Sequence, residues 1–281
     1  MGSAYGRVEG SSGPAATAAR PERPWKREAC PDRAWAEAWQ QSWDHQQEGY
    51  MPDREERLAA LLDVIEAAAG PRPLVLDLAC GTGTISRRLL QRFPEARSIA
   101  VDIDPALLAI ARATLGDDER VRIVRADLGD AGWVRALPET PVDAVLTATA
   151  LHWLAEPVLR RLYRDLAGIV RPGGAVANAD QMAPPDLPRL GAALAAVEER
   201  RRDGVRADGR PDWDGWWDIA AADPVLADAV AERRALFGGV NHPAEFDPPS
   251  SWHARALLDA GFAEAGVVWR SGTGAVIAAL R

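Results

Sequence analysis

The stretch Leu74 to Ser86 reads LVLDLACGTGTIS: a short apolar run, an aspartate, two glycines one residue apart, and the start of an amphipathic segment. A run of five or six apolar residues that turns at once into a helix is the opening of a βα unit, and glycines at the turn let backbone approach a ligand with no Cβ in the way. Outward from this point the pattern repeats. Residues 98–102 (SIAVD), 121–126 (VRIVRA), 143–149 (DAVLTAT) and 175–180 (AVANAD) read as strands. Between them lie helical segments at 84–93, 105–115, opened by Pro105, and 157–170, closed by RPGG. Strands separated by helices of this length imply right-handed βαβ crossovers and a doubly wound, mostly parallel sheet, with ligands beyond the strand C-termini.

The flanks are less regular. Residues 1–24 are rich in Gly, Ser, Ala and Pro with little to bury and read as a disordered tail outside the fold. Residues 25–70 form a helical cap: Trp35, Trp39 and Trp43 recur every fourth residue, one face of a helix that is expected to pack over the sheet. The next segment, DREERLAALLDVIEAAAG, carries Asp53 and Glu56 at capping-box spacing and Gly70 as a stop. Arg54, in its first turn, is a candidate for a ligand carboxylate, although its position predicts exposure to solvent. After the 71–180 core, residues 181–250 break the rhythm with two helical stretches, 186–203 and 223–238, around the polar segment DGVRADGRPDWDGWWD, and read as a lid over the sheet. Residues 251–281 supply a helix and two strands, AGVVWR and AVIAALR, joined tightly enough by SGTG to make an antiparallel hairpin.

Composition narrows the function. The formal charge of -8 argues against a nucleic-acid partner, because phosphate binding draws on clustered Lys and Arg. Two cysteines, Cys30 and Cys80, without metal-ligand spacing, fit a reducing compartment and a metal-free site. With no signal-like leader and no apolar run of roughly eighteen residues, a soluble cytoplasmic protein without a membrane partner is expected. A homodimer, through the Trp-bearing helix or the lid, stays open.

Within the fold, Asp102 ends the second strand 19 residues after Gly83, where a carboxylate accepts hydrogen bonds from ribose hydroxyls. A dinucleotide site would want a third glycine where Ser86 stands, and Asp77 would repel a pyrophosphate. A ligand with a ribose, a cationic amino group and no phosphate fits better, and S-adenosylmethionine is one.

The combination LDLACGTG, VDID, ADL and RPGG resembles the class I S-adenosylmethionine-dependent methyltransferases over roughly residues 50–180, with the C-terminal hairpin as a further likeness. The resemblance implies that Asp77, Ala79, Gly81 and Gly83 surround the methionine part, that Asp102 binds the ribose, that Ile103 and Leu128 flank the adenine and Asp127 meets its amino group, and that Thr147 or Ala148 faces the methyl. In similar proteins an aromatic residue before the first capped helix closes over the cofactor, a place held here by Tyr50.

For the acceptor side, His152 follows the fourth strand and has a near-neutral proton affinity, so it is the candidate general base, with His242 and His253 as rivals. His45 reads as solvated. Trp153, Trp213, Trp216 and Trp217, with His242, are candidates for the acceptor pocket. The expected reaction is methyl transfer to a small molecule, as in specialised metabolism. The alternatives are an RNA or protein methyltransferase, a protein of this fold that binds the cofactor without methylating, and, third, an NAD-linked oxidoreductase.

Overall fold

The computed structural model describes residues 31–182, 187–206, 209–238 and 246–281. Seven strands, β1 (Leu74–Leu78), β2 (Arg97–Asp102), β3 (Val121–Arg125), β4 (Val142–Ala148), β5 (Val170–Gln181), β6 (Glu264–Ser271) and β7 (Gly274–Leu280), form one sheet in the order β3-β2-β1-β4-β5-β7-β6. The first five are mutually parallel, and β7 runs antiparallel between β5 and β6. The order reverses at β1, which pairs with both β2 and β4, so the glycine turn after β1 lies at the switch point where such sheets bind ligands.

The period of two along each strand assigns the faces. Leu74, Leu76 and Leu78 pack with Val145, Val176 and Ile277 against α5 (Glu156–Ile169) and α9 (Ser250–Asp259). The alternate residues Val75, Ala144, Leu146, Ala177 and Val276 pack against α2 (Arg54–Ala68) and α3 (Thr84–Arg92). On that second side α4 (Pro105–Leu115) covers β2, where Leu108 meets Ala100 and Cys80. Helix α4 begins as its sequence predicts: Pro105 takes the first position and the Asp104 side chain accepts from the backbone N–H groups of Ala106 and Leu107.

Three local expectations need correction. Asp53 precedes α2 but makes no capping bond; its carboxylate binds the Arg57 guanidinium at 2.8 Å, a stronger, charge-assisted partner than a backbone N–H. Arg54 is buried rather than exposed. The indole stripe of α1 (Arg33–Glu48) packs on α4 and on the insertion, where Trp39 and Trp43 meet Ala106, Leu107 and Ile110.

Among the described residues, the segment between β5 and α9 holds three helices, α6 (Pro188–Arg206), α7 (Trp213–Ala222) and α8 (Ala227–Leu236). Helix α7 lies in the polar segment expected between the two helical stretches: Asp212 caps it by accepting from Gly215 N–H, and its apolar face falls on Trp216, Trp217 and Ala220. Ion pairs fasten α8 to the core, with Arg233 on Asp104 at 2.7 Å and Glu232 on Arg125 at 2.6 Å.

Candidate active site

The turn after β1 takes an unusual path. Ala79, Gly81 and Gly83 have φ of 55°, 55° and 82°, the left-handed region that glycine enters freely and alanine only at a cost of about 1–3 kcal/mol. The turn is pinned from β2, because Cys80 N–H donates to the Val101 carbonyl at 2.9 Å and Gly81 N–H to Asp102 Oδ2 at 2.7 Å. Strain at a non-glycine residue persists when its surroundings over-determine it, and here the neighbouring strand does so.

Asp77 lies at the floor of this turn, fully buried. Its Oδ2 accepts from Ser86 N–H at 2.9 Å and Ser86 Oγ at 2.6 Å, and Ser86 Oγ is 2.7 Å from Ser98 Oγ. Position 86 therefore has its own task, joining β1, α3 and β2 through hydroxyls. Asp77 Oδ1 has no partner. Burial pushes the Asp77 carboxyl up to about 6, against the hydrogen bonds from Ser86 that favour its charge. Asp102 is likewise pushed up to about 6, first by burial and then by the neighbouring Asp104 carboxylate. Two buried acids, one with an orphan oxygen, make an edge that a cation and hydrogen-bond donors would complete.

The other positions assigned to the cofactor fall along the same C-terminal edge. Ile103 is half-buried, Leu128 is buried, and Asp127 is exposed with Oδ1 accepting from Gly129 N–H at 2.7 Å. Thr147 is buried near the end of β4 with its hydroxyl unpartnered. Tyr50 is half-buried in the connection between α1 and α2. Nearby, Thr84 Oγ, at the first position of α3, donates to Asp44 at 3.0 Å and accepts from Gln40 and Arg54, each at 3.1 Å. Arg54 also pairs with Asp44 at 2.7 Å. This network ties the N-terminal helices to the glycine turn. It could not be read from sequence, because Thr84 is 30 to 44 residues from its three partners.

On the acceptor side, His152 lies in a short 3₁₀ turn, Leu151–Trp153, after β4. Its Nδ1 is 2.9 and 3.1 Å from the two oxygens of Asp180, at the C-terminal end of β5. Asp180 is 3% exposed and His152 19%. A buried carboxylate beside Nδ1 favours the tautomer with the proton on that nitrogen, in which Nε2 would be the accepting atom of a general base. Asp180 is the candidate residue that sequence reasoning missed; its signal was an acid closing the strand beside β4. Trp153 is half-buried with its ring 4.7 Å from the imidazole.

The rival histidines separate from this pair. His253 is buried, with Nδ1 2.6 Å from the Tyr163 hydroxyl, and burial lowers its pKa to about 4, so it stays neutral within the α5–α9 packing. His45 is exposed, and His242 lies outside the described residues. Trp216 and Trp217 require correction as pocket walls. Trp216 is 1% exposed, 5.0 Å from Trp43 and 5.4 Å from Trp39, with its N–H on Ser42 Oγ. Trp217 is also buried, beneath Arg233 at 3.7 Å. Trp213 is half-buried and edge-on to Trp43 at 6.0 Å. Their flat faces serve helix packing. Among the described residues, no three or more His, Cys, Asp or Glu side chains group as a metal site, and no helix is long and apolar enough to cross a membrane.

Residues 75–174 match the model of a methyltransferase domain family. The chain is 34% identical over 177 residues to a trans-aconitate 2-methyltransferase of Methylobacterium radiotolerans, covering 62% of this chain and 57% of that protein. It is 33% identical over 166 residues to a malonyl-[acyl-carrier protein] O-methyltransferase of Halorhodospira halophila, covering 59% and 54%. The chain thus spans about half the length of the curated relatives it matches. Among solved structures, an O-methyltransferase family protein from Burkholderia thailandensis superposes with a TM-score of 0.53 at 23% identity, covering 82% of this chain and 56% of that one.

Proposed function

We propose that the chain, whose residues 75–174 match a methyltransferase domain family, is a class I S-adenosylmethionine-dependent methyltransferase that methylates an oxygen of a small-molecule acceptor, with His152 as general base. The observation that carries this reading is the His152–Asp180 pair on the same sheet edge as the buried acids Asp77 and Asp102.

The residues fit the cofactor chemically. Asp77 Oδ1, buried and unpartnered, suits the ammonium of the methionine part. Asp102 has lone pairs left for ribose hydroxyls after accepting from two backbone N–H groups. Ile103 and Leu128 offer apolar surface for the adenine, Asp127 an acceptor for its amino group, and Ala79, Gly81 and Gly83 a backbone free to approach. Tyr50 and Thr147 complete the assignment. When bound, the cofactor supplies an electrophilic methyl on a sulfonium.

His152 Nε2 takes the proton from the acceptor hydroxyl as the C–O bond forms and the S–CH3 bond breaks; Asp180 holds the imidazole in place and stabilises the charge it gains. The products are the O-methylated acceptor and S-adenosylhomocysteine. Alignment of the three reacting centres supplies the larger share of acceleration, on the order of 7–11 kcal/mol. A carboxylate oxygen needs no base, so a buried acid behind the imidazole favours an acceptor that still holds its proton. The relatives' names add that acids, trans-aconitate and a malonyl group, serve as acceptors for those enzymes. A role in specialised metabolism is part of the proposal, supported by the three-helix insertion between β5 and α9. Mass analysis of candidate hydroxylated acids after incubation with protein and S-adenosylmethionine tests the reading: a gain of one CH2, lost in His152→Asn, supports it, and undiminished methylation by that variant would remove His152 from the chemistry.

A further inference from the structure

The chain leaving β2 carries Asp102 and Ile103, assigned to the ribose and the adenine, and then Asp104. Two consecutive residues of α8 hold it from outside the sheet. Arg233 Nε donates to Asp104 Oδ2 at 2.7 Å, with both side chains buried. Glu232 pairs with the Arg125 guanidinium at 2.6 Å, and Arg125 Nε in turn donates to the Ile103 carbonyl at 3.2 Å. Helix α8 thus grips both residues that follow Asp102.

The grip reaches Asp102 through short contacts. Asp104 Oδ1 caps α4, accepting from Ala106 and Leu107 N–H at 2.9 and 3.2 Å, while its Oδ2 takes Arg233. Asp104 N–H donates to Asp102 Oδ1 at 2.8 Å, and Gly81 N–H donates to Asp102 Oδ2 at 2.7 Å. Arg233, Asp104, Asp102 and the glycine turn therefore form one connected series of hydrogen bonds from the insertion to the cofactor edge. Charge follows the same route, because buried carboxylates two residues apart oppose each other's ionisation. Asp102 is pushed up by burial and then by Asp104, and Asp104 by burial, a rise that the Arg233 charge opposes. Arg233 is itself fixed by packing, its guanidinium 3.7 Å from the centre of the Trp217 ring and 5.1 Å from that of Phe237.

We propose that Arg233 is a positioning residue of the cofactor site: it neutralises Asp104 so that Asp102 meets the ribose as an ionised, correctly aimed acceptor, and with Glu232 it makes the insertion part of that site rather than a cover for the methyl acceptor alone. The inference rests on the methyltransferase reading, in which Asp102 is the ribose acid. An ionised carboxylate is the better partner for ribose hydroxyls, since charge-assisted hydrogen bonds are roughly twice as strong as neutral ones. Local sequence carries no sign of the link, because Arg233 and Asp104 are 129 residues apart.

The test is a calorimetric titration of the full chain with S-adenosylhomocysteine, in the parent, in Arg233→Met, in the double variant Asp104→Asn/Arg233→Met and in Glu232→Gln. Arg233→Met keeps an apolar side chain against Trp217 but leaves Asp104 uncompensated, and is expected to bind about tenfold to a hundredfold more weakly. Adding Asp104→Asn keeps a side chain able to cap α4 and removes the opposing charge, so affinity is expected to return to within about threefold of the parent. A purely structural ion pair gives no such recovery, because both its charges are then gone. Unchanged affinity in Arg233→Met, or equal weakness in the single and double variants, would overturn the proposal and leave the methyltransferase reading standing. Glu232→Gln, at an exposed side chain, is expected to bind about twofold to fivefold more weakly through a loosened Arg125–Ile103 contact. Affinity equal to the parent's there would overturn the grip of α8, and this variant decides the matter if Arg233→Met does not fold. Failure of the parent to bind S-adenosylhomocysteine would overturn both readings.

Discussion

The glycine turn with its two acids and the three-helix insertion sit side by side, and they are built on opposite terms. In the first, charge is buried ahead of need: Asp77 and Asp102 are desolvated, Asp77 keeps an orphan oxygen, and Ala79 is held in a left-handed conformation. In the second, Trp216 and Trp217 interlock with Trp39 and Trp43, and Arg233 is paired with Asp104 and stacked on Trp217. The turn is completed by a ligand, whereas the insertion completes itself. A residue's richness in chemistry thus says less about function than whether its bonding capacity is already spent.

The widest separation of the two regions is expected from Asp180→Asn and His152→Asn on one side and Trp216→Ala on the other. Loss of the base or its carboxylate lowers kcat by about 10²- to 10⁴-fold, with S-adenosylhomocysteine affinity and melting temperature close to the parent. Steady-state kinetics beside calorimetry checks this, and a parallel loss of cofactor affinity would assign the pair to folding instead. Trp216→Ala removes a fully buried indole and costs about 3–5 kcal/mol of stability, visible in chemical denaturation. Wild-type stability in that variant would show the aromatic cluster to be loosely packed.

A smaller effect sharpens the contrast through pH. Asp77 and Asp102 have folded-state values of about 6, above the ordinary carboxylate value of 3.8. The folded chain therefore holds these protons to higher pH than the unfolded chain does, and their contribution to ligand-free stability falls as pH rises from about 4 to about 6, then levels off. Binding of a cationic ammonium runs the other way, because it requires Asp77 ionised. The thermal shift produced by S-adenosylhomocysteine is thus expected to grow across that window and to be flat above it; a shift constant from pH 4.5 to 7.5 would exclude Asp77 as the ammonium's partner. Smallest is Ser86→Ala, which deprives Asp77 of one donor and is expected to cost about 1–3 kcal/mol of stability and to move the same pH window upward.

The two regions also differ in how far the sequence announces them. The glycine turn, the strand and helix alternation, Pro105 opening α4 and the C-terminal hairpin are all written in residues close together along the chain, so local periodicity and turn chemistry reveal them. Asp180 is bonded to a histidine 28 residues away, and Trp216 to a serine 174 residues away; such partnerships depend on how elements stack, which periodicity does not encode. Helix α7 escaped for a related reason: its short apolar face is interleaved with Asp212, Asp214, Gly215 and Asp218, and only the indoles of α1 make that face worth burying. Asp53 misled by fitting a local motif while a charged partner four residues on won its carboxylate.

The most direct measurement of the central claim is a calorimetric titration with S-adenosylhomocysteine of the parent chain and of Asp102→Ala. Saturable binding to the parent is expected, with an affinity about tenfold to a hundredfold weaker in the variant, the loss that follows when a buried, charged acceptor is removed from ribose hydroxyls. Equal binding by both proteins, or no binding by either, would contradict it.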